Sequence, residues 1–375
     1  MGGYVNPEIT ARALQWRIER LGEEHSLSAP PEEASVWFQY GLEIRQAYRA
    51  YAAEKGAREG CAVLMAGPPG AGKSRGIAMA QEVGALQIDR SCYVTIDADD
   101  VKQLLLGMNP PRGPRLSEDR LAPVRAYWEG LAASCGLLPD GRGVLIGEFA
   151  TLVHRYSTQL ADDIRADLLK DRTNVVIEGT LQWSADPVLG HEGQGPRLVR
   201  ELMDARYTRL DVVAVDASEQ LALDGAKRRW AEPRSRGDAS ARFTPPEAVS
   251  SMYQGTPDGG RASRPLANAH QTRELASGIE AFEYVQLTVV SRELGRPDRV
   301  AVWDRKGHKR DYGAVREGET ELCDDIAANT VRFQEALSSL RESFLAGKQP
   351  HPRAQPSRQE SHHARRPRAG PDMER

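Results

Sequence analysis

Hydrophobic and polar positions follow two alternating patterns along the centre of this chain. Between residues 61 and 291, short apolar runs rich in β-branched residues are separated by longer stretches with apolar residues three and four apart. The short runs predict strands and the longer stretches predict helices. Strands that alternate with helices indicate an α/β fold, a parallel sheet covered by helices on both faces. The predicted strands are CAVLMA at 61–66, CYVTID at 92–97, TNVVIEG at 173–179, RLDVVAVDA at 209–217 and YVQLTVVS at 284–291, with RVAVWDRKG at 299–307 as a candidate edge strand.

The patterns at the two ends differ from the centre. Residues 1–57 carry two helical patterns, which predict a helical N-terminal extension packed on the core. Residues 311–347 predict a long amphipathic helix, and residues 348–375 are rich in proline and arginine without apolar periodicity. The division expected from the sequence is therefore a central domain at 58–310, a C-terminal helix and a disordered C-terminal tail.

Composition narrows the classes of partner and location. The net charge of −3 over 375 residues provides no general basic surface, which argues against a nucleic-acid partner. Four scattered cysteines suit a reducing compartment. The N-terminus lacks a basic segment followed by an apolar one, and no stretch approaches eighteen apolar residues. We therefore expect a cytoplasmic protein without a membrane partner.

The segment after the first predicted strand fits the phosphate-loop (Walker A) pattern G-x-x-x-x-G-K-[ST]. Glycines let the backbone approach phosphate groups without a Cβ in the way, and the following helix directs its N-terminus at the anion. The lysine places its charge at the β- and γ-phosphates, and the serine hydroxyl is a ligand for Mg²⁺. The loop predicts nucleotide binding by Gly67, Pro68, Pro69, Gly70, Ala71, Gly72, Lys73 and Ser74.

Acidic residues follow the second and third predicted strands. Alternation along a strand places Asp97 and Asp99 on one face, at the carboxyl edge of the sheet where ligands bind in open α/β folds. A carboxylate there is suited to accept the proton of an attacking hydroxyl or to help hold Mg²⁺. The alternative is that these aspartates only cap the helix that begins at VKQLLL. Glu178 and Thr180 end the third strand at the same edge, either as ligands for sugar hydroxyls or as turn residues.

A segment rich in arginine, residues 226–248, follows the fourth predicted strand. Its middle is rich in Pro, Arg, Gly and Ser, which predicts a mobile lid between two helices. Arg229 and Arg242 lie thirteen residues apart on its two sides. Arginines on a lid close over a γ-phosphate and offset charge during transfer.

Together these motifs resemble the zeta toxins of bacterial toxin–antitoxin systems over about residues 58–305. Characterised zeta toxins are P-loop kinases that use ATP to phosphorylate the 3′-hydroxyl of the amino sugar in UDP-N-acetylglucosamine. The segments that carry the resemblance are GPPGAGKS, IDADDVKQ, YSTQLADDI with NVVIEGT, and RRWAE with SARFTP. The resemblance implies a P-loop kinase fold, ATP and Mg²⁺ as cofactors, a nucleotide-sugar substrate, an antitoxin partner and a growth-inhibiting function.

The resemblance also implies roles for individual residues. Asp99 corresponds to the catalytic base, while Lys73, Arg229 and Arg242 correspond to residues that meet the transferring phosphate. The remaining assignments are Ser74 for the metal, and Asp97, Asp162, Glu178 and Thr180 for the substrate.

Two features depart from the family pattern. Asp162 stands where zeta toxins usually have a glutamate, and the segment after IDADD is longer than usual, an insertion expected to reshape the acceptor pocket. Related folds phosphorylate NAD, nucleosides or antibiotics, so a kinase of another small hydroxylated acceptor is an alternative. A nucleotide-switched binding module is a second alternative, although such a switch needs no acceptor base.

Overall fold

The computed structural model describes residues 7–55, 57–185, 191–256 and 260–314. The helices are α1 (Pro7–His25), α2 (Val36–Lys55), α3 (Lys73–Glu82), α4 (Ala98–Leu105), α5 (Glu118–Ser134), α6 (His154–Lys170), α7 (Gln194–Asp204), α8 (Glu219–Ser235), α9 (Pro246–Ser250) and α10 (Arg264–Ser277). The strands are β1 (Cys61–Ala66), β2 (Val94–Ile96), β3 (Val175–Ile177), β4 (Arg209–Ala217), β5 (Tyr253–Gly255), β6 (Arg261–Ser263), β7 (Tyr284–Arg292), β8 (Arg299–Trp303) and β9 (Lys309–Ala314).

The main sheet has seven strands in the order β2-β3-β1-β4-β7-β8-β9. Its first five strands are parallel, whereas β8 and β9 are antiparallel to their neighbours. Strand β1 lies between β3 and β4, and its residues 62–66 are all buried, which explains its continuous apolar run. The predicted parallel α/β fold is confirmed, and the carboxyl ends of β1, β2 and β3 lie at one edge.

The far side of the sheet differs from the expectation. The segment RVAVWDRKG was a candidate edge strand, but β8 pairs with β7 on one side and β9 on the other. Strand β9 is mostly exposed and polar, so it lacks the alternation that identifies a strand in sequence. It also continues past the predicted boundary at residue 310, through Ala314. The predicted helix beyond that strand and the predicted tail at 348–375 lie outside the described residues.

The N-terminal helices are part of the main hydrophobic core. Leu14 of α1 and both Ile44 and Tyr48 of α2 are fully buried in the same cluster as residues of α4, α6 and the sheet. The expected packing of these helices on the core is therefore observed. Among the described residues, no helix is long and apolar enough to cross a membrane.

Candidate active site

The phosphate loop connects the buried end of β1 to the first turn of α3. Gly67, Gly70 and Gly72 have φ values of 144°, 82° and 81°, conformations that favour glycine. Helix α3 begins at Lys73, so the first N–H groups of the helix have no intrahelical acceptor and face the loop. The Lys73 ammonium donates to the carbonyl oxygen of Gly67 over 3.2 Å. The loop therefore has the backbone conformation and free donors that an anion site requires.

Helix α8 packs directly against this loop. A Cβ on Gly70 would lie 2.1 Å from the carbonyl oxygen of Ala222, and a Cβ on Gly225 would lie 2.2 Å from the carbonyl oxygen of Gly70. Only residues without side chains allow this approach of two backbones. Arg229 follows Gly225 by four residues and thus lies on the same face of α8. The packing of the two glycines therefore places Arg229 on the side of α8 that packs against the phosphate loop.

The two predicted aspartates occupy a helix start rather than a strand. Strand β2 ends at Ile96, and Asp97 is the N-cap of α4, its Oδ1 accepting the backbone N–H of Asp99 over 2.8 Å. The expected alternation on one strand face is thus wrong, because the chain turns into a helix one residue earlier. Asp99 lies in the first turn, where Arg242 Nη1 is 2.9 Å from Oδ2 and Lys102 Nζ is 2.9 Å from Oδ1.

These neighbouring carboxyl groups have opposite pKa shifts. Burial and the negative charge of Asp99 raise the pKa of Asp97. Burial also opposes ionisation of Asp99, but Lys102, Arg242 and Arg229 outweigh it and hold the pKa of that carboxyl well below its usual range. A pair of acids whose environments separate their pKa values is typical of an active site. Asp99 is therefore ionised at neutral pH and next to two arginines.

The arginine-rich segment at 226–248 begins within α8 and is held by contacts of the loop that follows. Helix α8 continues to Ser235, so the expected mobile lid is reduced to the loop at 236–245. Ala239 of this loop accepts the backbone N–H of Gly147 over 2.8 Å, and Ala241 is fully buried. Arg242 is thereby held at Asp99, while Arg229 has a buried Nε without a hydrogen-bond partner and a pKa lowered by burial and by Arg242.

Glu178 and Thr180 reach the same edge from β3. The backbone N–H of Gly67 donates to the carbonyl oxygen of Thr180 over 3.2 Å, which ties the two strand ends together. The side chain of Glu178 is only 5% exposed, and its Oε1 has no hydrogen-bond partner. Burial raises the pKa of Glu178, with Lys73 acting in the opposite direction. A buried acceptor atom without a donor is what a substrate hydroxyl would satisfy.

Asp162 is the predicted site residue that makes no contact with the other predicted site residues among those described. It lies on α6, where its Oδ1 accepts from Arg165 over 2.6 Å and its Oδ2 accepts from Arg197 over 3.2 Å. Arg165 also contacts Glu201 of α7 over 2.8 Å. Both oxygens of Asp162 are thus used in an ion-pair cluster between α6 and α7, and within the described ranges no contact connects this residue to Asp99 or Glu178.

Sequence reasoning missed two residues at this edge. Arg112, in the insertion between α4 and α5, places Nη1 3.7 Å from Oε1 of Glu178. Asp100 is buried after Asp99, and its Oδ2 has no hydrogen-bond partner. Burial and the charge of Asp97 raise the pKa of Asp100 to about 7. For Arg112, the sequence signal is an arginine within a Pro- and Gly-rich insertion. For Asp100 the sequence carries no such signal, because its burial depends on packing.

The site suits a metal ion that arrives with a nucleotide. Among the described residues there is no group of three or more His, Cys, Asp or Glu side chains that could hold a metal. Mg²⁺ at a phosphate loop needs only one or two protein oxygens, because phosphate groups and waters complete its shell. The exposed Ser74, on the second residue of α3, fits such a ligand.

The comparisons with known proteins agree with the motifs. The model of the Zeta toxin family matches residues 49–109, which include β1, the phosphate loop, β2 and α4. The resemblance to zeta toxins is thereby confirmed over this segment. A comparison with curated proteins gave no match.

Three solved structures are distantly similar. The native AvrRxo1-ORF1:-ORF2 complex has a TM-score of 0.44 and 12% identity, covering 77% of this chain and 78% of that chain. The same complex determined with ATP has a TM-score of 0.40 and 12% identity, covering 84% and 73%. A structure of the PezAT chromosomal toxin–antitoxin system of Streptococcus pneumoniae has a TM-score of 0.39 and 13% identity, covering 69% and 79%.

Proposed function

We propose that this chain is an ATP-dependent kinase that phosphorylates a sugar hydroxyl of UDP-N-acetylglucosamine and acts as a growth-inhibiting toxin. The observation that carries the proposal is the contact between Asp99 and Arg242, 2.9 Å apart at the edge that also bears the phosphate loop. A nucleotide switch needs no carboxylate as the base for an acceptor hydroxyl, although some switches carry an arginine at the γ-phosphate. A phosphotransferase needs both, one as acceptor base and one to offset charge on the phosphoryl group.

In the proposed reaction, the acceptor oxygen bonds to the γ-phosphorus while the bond from that phosphorus to the β–γ bridging oxygen breaks. ADP leaves, and the proton of the acceptor hydroxyl passes to Asp99. Lys73 and the first N–H groups of α3 hold the β- and γ-phosphates. Arg229 and Arg242 offset charge on the transferring group. Ser74 would hold the Mg²⁺ that accompanies ATP, and this ion, when bound, would neutralise further charge on the phosphate oxygens.

The pairing of Arg242 with Asp99 suggests how nucleotide binding prepares the base. Without nucleotide, Lys102, Arg242 and Arg229 hold the pKa of Asp99 low, and such a weak base is a poor proton acceptor. A γ-phosphate competes with Asp99 for the two guanidinium groups. Asp99 then loses positive neighbours, and its pKa rises when the acceptor hydroxyl is in place.

Asp99→Asn separates transfer from nucleotide binding. We expect Mg-ATP affinity to be retained, because it depends on Lys73 and the loop backbone, and transfer to UDP-N-acetylglucosamine to fall by roughly 10²–10⁴. Lys73→Ala should abolish ATP binding. The measurements are calorimetric titration with an ATP analogue and mass spectrometry of the phosphorylated sugar. The matched control is Asp119→Asn, an exposed aspartate in the first turn of α5.

Normal transfer by Asp99→Asn would contradict the assignment of the base. A panel of NAD, a nucleoside and an antibiotic beside the nucleotide sugar decides the acceptor. Phosphorylation of NAD alone would keep the kinase and replace its substrate. ATP binding without turnover on any acceptor would favour the nucleotide-switched module.

A further inference from the structure

Two arginines that the sequence motifs do not assign lie beside Glu178. Arg112 belongs to the insertion between α4 and α5, and its Nη1 is 3.7 Å from Oε1 of Glu178, an ion-pair distance too long for a hydrogen bond. Arg90 belongs to the short 3₁₀ helix Arg90–Cys92 that precedes β2, and it faces both Arg112 and Glu178. Two like charges thus converge on one buried carboxyl group.

The loop that carries Arg112 is a defined structure. Asn109 donates from its side-chain amide to the carbonyl oxygen of Leu116 over 3.1 Å and accepts the backbone N–H of Leu116 over 2.8 Å. Gly113 has a φ of 82°, and a Cβ there would lie 3.3 Å from the hydroxyl of Tyr48 in α2. The base of the loop is therefore closed by Asn109, and its tip rests on the core.

The donors of both guanidinium groups are unused. In the described part of the chain, neither Arg90 nor Arg112 donates a side-chain hydrogen bond. Burial and the nearby charge of Arg112 lower the pKa of Arg90. Glu178 compensates this positive charge poorly, because burial raises its own pKa and no donor reaches its Oε1. Convergent arginines with free donors favour a planar or tetrahedral oxyanion, such as phosphate.

The position of Arg112 connects these donors to the reacting end of the pocket. Arg112 faces Asp100 as well as Glu178, and Asp100 follows Asp99 on the first turn of α4. When a ligand places a hydroxyl at Asp99, the other polar groups of that ligand are therefore close enough to interact with the charge of Arg112. Glu178 is suited to sugar hydroxyls, while the arginines are suited to an anion on the same molecule.

We infer that Arg90 and Arg112 bind a phosphate group of the acceptor and make this enzyme select phosphate-bearing acceptors over free sugars and nucleosides. This rests on the proposed function in one respect, that the acceptor occupies the edge between Asp99 and Glu178. The specificity is a property of the insertion in this chain, since Arg112 reaches the site only through that loop.

The test is a titration with UDP while a non-hydrolysable ATP analogue and Mg²⁺ fill the phosphate loop. Arg112→Ala should weaken UDP binding by roughly 10- to 100-fold, the value of a charged hydrogen bond. Arg90→Ala should act in the same direction, and affinity for the ATP analogue should not change. The control is Arg115→Ala, an exposed arginine in the same loop, which should leave both affinities unchanged. Thermal melts verify that each variant is folded.

Steady-state kinetics provide the second measurement. Arg112→Ala should raise the KM for UDP-N-acetylglucosamine without lowering kcat, and it should reduce the preference for this acceptor over free N-acetylglucosamine. Equal UDP affinity in the wild type and both arginine variants, or no UDP binding by the wild type, would overturn the inference. Failure to bind the ATP analogue would instead refute the proposed kinase, and UDP binding would still report on the arginines.

Discussion

At the scale of single residues, Asp100 is a buried carboxyl group with an unpaired oxygen. It is buried, its Oδ2 has no hydrogen-bond partner, and the hydroxyl of the nearby Tyr48 is buried without a partner too. Burial raises the pKa of Asp100 from the ordinary value of 3.8 to about 7. Because the folded state holds this proton more tightly than the unfolded state, stability falls as pH rises from about 4 to about 7.

Asp100→Asn removes this pH dependence. At pH 4 the wild-type carboxyl is largely protonated in the folded protein, so the variant should have nearly the same free energy of unfolding. At pH 8 the variant should be more stable, by up to about 4 kcal/mol, because one pKa unit corresponds to about 1.4 kcal/mol. Urea denaturation at the two pH values without nucleotide measures the difference. Asp119→Asn is the exposed control, and an equal effect of Asp100→Asn at both pH values would contradict the prediction.

Residues whose role depends on local spacing were predictable. The phosphate loop is one continuous segment, and the short motifs that contain Asp99 and Arg242 are visible in the sequence even though the contact between them is not. Arg112 and Asp100 were missed, since one depends on where an insertion folds and the other on which helix face is buried. Asp162 came from the family pattern, whereas its partners Arg165 and Arg197 are set by the packing of α6 on α7.

At the scale of secondary-structure elements, a buried ion-pair cluster fastens α8 to the segment before α6. Glu148 is fully buried and accepts from Arg234 over 2.8 Å and from Trp230 Nε1 over 2.7 Å. Arg234 is itself only 3% exposed and makes two further hydrogen bonds to Asp140. Trp230 also packs edge-on against Phe243, the residue after Arg242. The cluster thus positions both the end of α8 and the loop that carries Arg242.

Glu148→Gln should loosen this loop. The change removes one of the two carboxylates that pair with Arg234, and Asp140 remains, so denaturation should show a loss of about 1.5–3 kcal/mol, the value of hydrogen bonds to a charged group. Hydrogen exchange should increase at 236–245, and transfer should decrease more than ATP affinity, because Arg242 is proposed to act on the developing charge. The control is Glu118→Gln, which removes an exposed pair with Arg125 and should cost at most about 1 kcal/mol. A loss equal to that of the control would show that the cluster does not anchor the loop.

Strands and helices were predictable where the periodicity of hydrophobic residues was strong. All five parallel strands fall within their predicted runs or extend them by one residue, although β2 and β3 have only three residues each because their ends turn into loops and caps. The short pair β5 and β6 and the exposed β9 carry too little apolar sequence to be recognised. The lid was predicted as mobile from its Pro, Gly and Ser content, and its anchoring through Glu148 and Arg234 depends on long-range contacts.

At the scale of the whole molecule, the sheet and the N-terminal helices form one core around the site. Tyr48 of α2 is fully buried beneath the loop that holds Arg112, and Arg45 of α2 binds the nearly buried Asp167 of α6 over 2.7 Å. The sequence pattern predicts the helices at 1–57 only as an N-terminal extension packed on the core. In the structure α2 supports the loop that carries Arg112, and this support depends on contacts across more than sixty residues.

The proposed toxicity predicts a specific effect on growing bacteria. An enzyme with a typical turnover of about 10 s⁻¹ converts on the order of 10⁴ acceptor molecules per copy in about twenty minutes. Expression of the wild type should therefore slow growth and accumulate a phosphorylated UDP-sugar, detected by mass spectrometry of cell extracts. Asp99→Asn should do neither while reaching the same soluble level, because it retains nucleotide binding and loses the base. Asp119→Asn should inhibit like the wild type. Growth inhibition by Asp99→Asn equal to that of the wild type would show that toxicity does not come from phosphate transfer.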